Sequence, residues 1–295
     1  MKKLYKGIIY IIFAAFCFSL LSMFIRLAGD LPAVQKSFFR NFVATIFSFI
    51  LLKKSKYKFE IPKGNLKYLL LRATIGTFGI FFNFYAISHL YLADANMLNK
   101  LSPFFAVIFS YFFLKEKISP VQILALAVAF IGSIFIIKPT FENAEILPSL
   151  IGVLGGLCAG FAYTMVRKLG NRGQSGISIV FFFSAFSCIM SLIFTIFVYE
   201  PMTGRQFLFL LLGGIAALGG QLGITNAYIN APAKEISIYD YSQIMFAAIL
   251  GFFVFQQIPD IYSFIGYILI VSMAFLMFQY HKKENNKNKY IKLKK

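Results

Sequence analysis

The chain has 295 residues, 59% of them hydrophobic and only 14% charged, with a mean hydropathy of +0.75. Soluble domains carry roughly 25% charged residues, so a water-soluble globular protein is excluded in favour of an integral membrane protein with room for many spans of about 20 residues. The formal charge of +18 does not indicate nucleic acid, because the basic residues gather in short loops and a C-terminal tail, the orientation signal of a multi-span membrane protein.

In chain order, apolar runs fall at about 7–28, 32–52, 66–88, 91–114, 118–138, 148–169, 176–199, 206–229, 232–257 and 260–280. Their breaks are Gly29-Asp30 with Pro32, a Lys-rich stretch at 53–64, Lys115-Glu116-Lys117, Lys138-Pro139 and Glu200-Pro201. The connections at 89–90 and 230–232 are tight, the second carrying the stop signal Asn230-Ala-Pro232. Lipid admits only helices or closed barrels, and unbroken runs of this length read as ten helices. The first run follows Lys2, Lys3 and Lys6 as a signal peptide would, but it extends to about Ala28 without a small-x-small cleavage site and reads as a span.

Orientation follows from the positive charges. With both termini cytoplasmic, one face collects 22 of the 29 Lys and Arg residues and the other only Arg26, Lys36, Lys138 and Arg205. Arg40, Arg72 and Lys100 are left within the membrane. The tail 281–295 is rich in Lys and Asn and predicts a disordered cytoplasmic segment, serving as a topology anchor or attracted to anionic headgroups. Tyr5, Tyr10, Tyr57, Tyr68 and Tyr199 supply interfacial aromatics in a chain without Trp. Cys17, Cys158 and Cys188 are dispersed in apolar runs and read as small buried hydrophobes. His89 and His281 are the two histidines, which argues against a metal site, and no cofactor is expected.

The chain repeats itself. Ile25-Arg26-Leu27-Ala28-Gly29-Asp30 overlies Val166-Arg167-Lys168-Leu169-Gly170-Asn171. Gly79 and Ala86 overlie Gly220 and Ala227, Ala93 overlies Ala233, and Ile118 overlies Ile258, all at an offset of 140–141 residues. Residues 1–140 and 141–280 are therefore two five-helix units, followed by the tail 281–295. An odd number of helices inserts the second unit upside down, giving a pseudo-two-fold axis in the membrane plane.

The same offset relates Lys100 to Asp240. The fourth run begins on the outer face near Tyr91 and the ninth on the inner face near Ala231. Nine helical residues carry each charge about 14 Å deep, so the two arrive at the middle of a core of roughly 30 Å from opposite sides. A charge at that depth faces a partner or a watery cavity. Two readings stay open: a pair responsive to substrate or protons, and a permanent ion pair pinning two helices. Asn99, Ser102, Tyr239, Tyr241 and Gln243 make the zone polar, and Asn83, Asn226 and Gln221 offer further orienting hydrogen bonds.

Pro103 predicts a kink near the centre of the fourth helix, a gating point. Arg72 either lines the cavity or snorkels to the headgroups. Arg40, flanked by Phe38, Phe39 and Phe42, reads as structural. Glycines at three- and four-residue spacing in the third, sixth and eighth helices permit close packing around a cavity that changes shape.

Taken together, these stretches resemble the drug/metabolite transporter superfamily, in its EamA-like branch. The first-repeat resemblance lies in Leu71-Arg-Ala, Tyr85-Ala86, Tyr91-Leu-Ala-Asp-Ala-Asn96, Leu101-Ser-Pro-Phe104, Phe113-Leu-Lys-Glu-Lys117, Gly132 and Ile137-Lys-Pro139. In the second repeat it lies in Ile238-Tyr-Asp-Tyr241 and Ala247-Ala-Ile-Leu-Gly251. Where the family carries Gly-Glu after the ninth helix this chain has Gln256-Gln257, so Glu116 has no acidic counterpart.

The resemblance implies an all-α fold of ten transmembrane helices in two inverted repeats. It also implies a cavity lined mainly by helices 1, 3, 4, 6, 8 and 9, and alternating access without ATP. Family members move amino acids, nucleotide-related metabolites, vitamins, organic acids or cations, so the resemblance leaves the cargo open. The expectation is a secondary transporter of the cytoplasmic membrane for a small polar metabolite, anionic or zwitterionic given the cationic surplus of Arg72 and Lys100 over Asp240. Its expected substrate contacts are Lys100, Asp240, Asn99, Tyr239, Tyr241, Gln243, Asn83, Asn226, Gln221 and Arg72, with Pro103 as gate. A coupling proton and a homodimer are compatible with this reading. A channel-like facilitator and a membrane-embedded enzyme acting on lipid-linked substrates are the alternatives, although one Asp and one Lys make a thin catalytic set.

Overall fold

The computed structural model describes residues 2–55, 60–89, 98–137, 146–256 and 261–293. Among them lie ten helices and no strand. The first unit contains α1 (Lys2–Leu27), α2 (Ala33–Lys54), α3 (Leu66–His89), α4 (Ser102–Leu114) and α5 (Pro120–Ile137). The second contains α6 (Ile146–Asn171), α7 (Gly176–Thr195), α8 (Gly204–Asn230), α9 (Ala233–Phe255) and α10 (Ile261–Leu293). By length and composition α1, α6, α7, α8 and α9 are each able to cross a membrane unaided. Large apolar side chains such as Phe112, Leu124, Phe253 and Ile268 point outward, as a lipid-facing surface requires. Tyr57, the Tyr91–Asn96 part of the family signature, Lys138–Pro139 and Ile258 fall outside the described residues.

The packing obeys the pseudo-symmetry read from the repeat. α1 runs along α8, and the equivalent helices α6 and α3 run along each other. α2 packs on its own equivalent α7, and α5 on α10. α4 lies against α6 as α9 lies against α1. Most of these contacts join one unit to the other. The two five-helix units are therefore interlocked, and the molecular core lies between them.

Missing side chains make two of these seams possible. A Cβ on Gly79 of α3 would sit 3.1 Å from Cys158 Cβ of α6, and one on Gly223 of α8 would sit 2.9 Å from Ala14 Cβ of α1. Both lie below ordinary van der Waals separation, so even alanine would push the helices apart.

Two local features depart from the sequence expectation. The ninth helix is not continuous: Ser237–Tyr241 tighten into a 3-10 turn between α-helical segments. The tail, expected to be unstructured, continues α10 as helix through Leu293. It contains neither Pro nor Gly, and elongating an existing helix adds one hydrogen bond for each residue fixed.

Candidate functional site

The site forms where the start of α4 meets the 3-10 turn of α9. Lys100 Nζ donates to Asp240 Oδ2 at 3.3 Å and to Gln243 Oε1 at 2.8 Å. Lys100 and Asp240 are each only 8% exposed. Residues related by a two-fold operation that also touch one another must straddle its axis. The ion pair therefore marks the pseudo-two-fold axis of the protein.

The backbone is irregular on both sides of that axis. Leu98 and Asn99 form a helical turn, Lys100 and Leu101 break it, and α4 starts at Ser102. Pro103 thus occupies the first turn of α4, where its absent N–H forfeits little. This corrects the expected mid-helix kink: the helix is interrupted at Lys100–Leu101, just before the proline. The buried Tyr241 hydroxyl donates to the Lys100 carbonyl at 3.1 Å, satisfying a group near the break. From α1, Ser19 donates to the Gln243 carbonyl at 2.8 Å and holds the other side. Interrupted helices at matched positions of inverted repeats are where transporters build their sites.

α6 lets the α4 entry come close. It turns Gly152, Gly156 and Gly160 toward Leu98–Ala106, and a Cβ on Gly156 would lie 2.8 Å from the Leu98 carbonyl oxygen. The Asn99 carbonyl passes over the same glycine.

A tyrosine pair adjoins the ion pair. Tyr163 of α6 stacks on Tyr228 of α8 with ring centroids 4.9 Å apart, and the Tyr228 hydroxyl is 3.4 Å from Ser237 Oγ in the 3-10 turn. Tyr163 lies within electrostatic reach of Asp240 and also of Arg72 and Arg40. Arg72 does not snorkel. It is 3% exposed, donates from Nη2 to Gln221 Oε1 at 3.3 Å, and lays its guanidinium over the Phe183 ring at 3.8 Å.

The expected contacts therefore divide. Lys100, Asp240, Tyr241 and Gln243 form one group, and Arg72 with Gln221 forms a second. Asn226 turns away, its Nδ2 bonded to the Leu222 carbonyl and its Oδ1 beside Gly176. Tyr239 packs in the core within reach of Tyr5, its buried hydroxyl lacking a hydrogen-bond partner. Asn83 lies along the α3–α6 seam against Gly155. Tyr163, Tyr228, Ser19 and Ser237 were not singled out by sequence reasoning. A tyrosine among the small residues of α6 was the one usable signal.

At the end of the bundle nearest the start of α9, a second ion pair joins the units. Arg167 Nε meets Glu116 Oε1 at 3.2 Å, while its Nη1 donates to the carbonyls of Ile229 at 2.8 Å and Tyr228 at 3.3 Å, near the C-terminus of α8. A cation on those carbonyls also complements the helix dipole. Lys234 Nζ reaches the Lys117 carbonyl across the same gap. Burial pushes the Glu116 carboxyl above its ordinary value, with Arg167 pulling it partly back.

The comparisons with known proteins agree with this architecture. The model of the EamA-like transporter family matches residues 5–138 and again residues 147–279. The pseudopaline exporter CntI of Pseudomonas aeruginosa (strain UCBPP-PA14) is 31% identical over 269 residues, covering 90% of this chain and 93% of that protein. Human solute carrier family 35 member G1 is 30% identical over 281 residues, covering 90% of this chain and 77% of its own length. One solved structure, titled "Crystal structure of protein", superimposes with a TM-score of 0.79 at 15% identity, covering 91% of this chain and 94% of that one, and shows the shared fold. The family match in both units and the named relatives point to transport rather than catalysis: this chain belongs to the EamA-like transporter family of multi-pass membrane proteins.

Proposed function

We propose that this protein is a secondary carrier that moves a small polar metabolite, anionic or zwitterionic, across the cytoplasmic membrane by alternating access, with both termini cytoplasmic. The observation that carries the reading is the buried Lys100–Asp240–Gln243 cluster on the pseudo-two-fold axis, between two interrupted helices. In an inverted repeat, the opposite-facing state arises when the two units exchange conformations. A site on the axis maps onto itself in that exchange, so one set of residues can serve both faces.

Lys100 holds the cargo's carboxylate or phosphate, and Asp240 holds an ammonium group or takes up a coupling proton. Gln243 orients both, and Tyr241 fixes the Lys100 backbone. Arg72 and Gln221 are the second group of contacts on the substrate path. The Arg167–Glu116 ion pair, joining the two units, serves as a clamp at the cytoplasmic end. The exporter among the relatives supports a metabolite as cargo.

Reconstitution in proteoliposomes tests the reading. Counterflow, with efflux accelerated by unlabelled substrate on the trans side, is expected of a carrier and absent from a pore. Lys100→Ala and Asp240→Ala are each expected to abolish uptake. Wild-type rates in both variants would remove the site assignment.

A further inference from the structure

Arg40 and Arg72 are cations inside the bundle, and neither has a carboxylate within ion-pair distance among the described residues. Arg72 is almost wholly buried, and the side-chain hydrogen bond it makes is to a neutral amide, Gln221. The Nε atoms of both arginines are buried without any hydrogen-bond partner. A guanidinium presents five donors in a fixed fork, a geometry matched to carboxylate and phosphate oxygens. Burying such a group without its anion is among the most costly choices a fold makes.

The surrounding side chains accommodate that fork. Phe183 of α7 supports one face of the Arg72 guanidinium, and Gly76 leaves the space it occupies, since a Cβ there would overlap Nη1. Arg40 approaches from α2. On that helix Ser37, Asn41, Ala44 and Ser48 are buried, and Val43 packs over Gly214 of α8, which leaves Arg40 on the intervening face. Tyr163 lies within electrostatic reach of both guanidiniums and of Asp240.

We propose that Arg40 and Arg72 form an anion subsite distinct from the Lys100–Asp240 pair, taking a carboxylate or phosphate group at the end of the cargo remote from that pair. The subsite rests on the carrier reading and narrows it: the cargo is an elongated organic anion with at least two charged groups, its middle lying beside Tyr163. Arg72 serves as the bidentate anchor, and Arg40 adds a second positive charge.

Thermal unfolding of the detergent-purified protein, titrated with citrate or inorganic phosphate against chloride at matched ionic strength, tests this. The wild type is expected to be stabilised by citrate or phosphate and not by chloride. Which of the two acts separates carboxylate from phosphate chemistry. Arg72→Lys keeps the charge but loses the fork, and is expected to weaken the apparent affinity at least tenfold while still folding. Arg40→Gln should do the same, and Lys100→Ala, which removes the anion contact of the other site, is the comparison. An unresponsive wild type overturns the proposal, as does an unchanged response in Arg72→Lys. Loss of the response in Lys100→Ala alone would place the anion at the ion pair, sinking the subsite and leaving the carrier reading intact.

Discussion

Removing Asp240 while keeping Lys100 leaves an ammonium group at a position only 8% exposed, with Gln243 as its remaining side-chain acceptor at 2.8 Å. Breaking a buried ion pair from one side costs about 3–5 kcal/mol, because the surviving charge stays desolvated. Asp240→Ala and Lys100→Ala should each fall in that range. The double variant strands neither charge, so its loss should be about 2–3 kcal/mol smaller than the sum of the single losses. The two positions are equivalents about the pseudo-two-fold axis. The exchanged pair Lys100→Asp with Asp240→Lys should accordingly regain most of what either reversal alone loses. The assay is the unfolding midpoint of the purified protein, at roughly 2 °C per kcal/mol for a chain of this size. Single variants should then lose about 6–10 °C. Additive losses in the double variant, or single losses within about 1 °C, would refute a coupled buried pair.

Three further outcomes follow from other parts of the fold. Lys115 and Gln256 are pseudo-equivalent and end α4 and α9 in the left-handed region, at φ of 56° and 55°. That conformation costs a non-glycine residue about 1–2 kcal/mol, so Lys115→Gly and Gln256→Gly should each stabilise by about 0.5–1 kcal/mol in the same melts. Gly160→Ala places a methyl group 2.6 Å from Phe105 Cβ and 2.7 Å from the Ala106 nitrogen. It should destabilise by at least about 1–3 kcal/mol and impair transport in proteoliposomes, since it forces α4 away from α6. Glu116 has a raised folded pKa, so between its ordinary value and the raised one the folded state holds a proton that the unfolded chain has released. Its contribution to stability therefore falls as pH rises through that window, and the difference between wild type and Glu116→Gln should show that fall. A difference moving the other way would mean that Arg167 outweighs burial.

Much of the architecture was legible in linear form. Hydropathy marked ten spans, and the constant offset between Gly79 and Gly220 or Lys100 and Asp240 gave the two units and their inversion. Both properties depend on which residues lie along the chain and how far apart. For the same reason, two opposite charges at matched distances from opposite faces predicted the contact of Lys100 with Asp240, which the structure shows at 3.3 Å.

Rotation of each helix about its own axis left no such trace. Asn226 and Gln221 lie on one helix and both looked available, yet packing of α8 against α7 turns the first aside while the second meets Arg72. Arg40 read as a structural residue among phenylalanines, and only the packing of α2 against α7 and α8 brings it within electrostatic reach of Tyr163. Pro103 signalled a break but not its place, because the turn at Lys100–Leu101 is held by Tyr241 from the other unit. The Glu116–Arg167 clamp joins positions 51 residues apart that carry no shared pattern. Composition and spacing thus determined the spans, the repeat and the charge pair. Which polar groups meet was decided by tertiary packing, since lipid sets the depth of a residue while only neighbouring helices set the direction it faces.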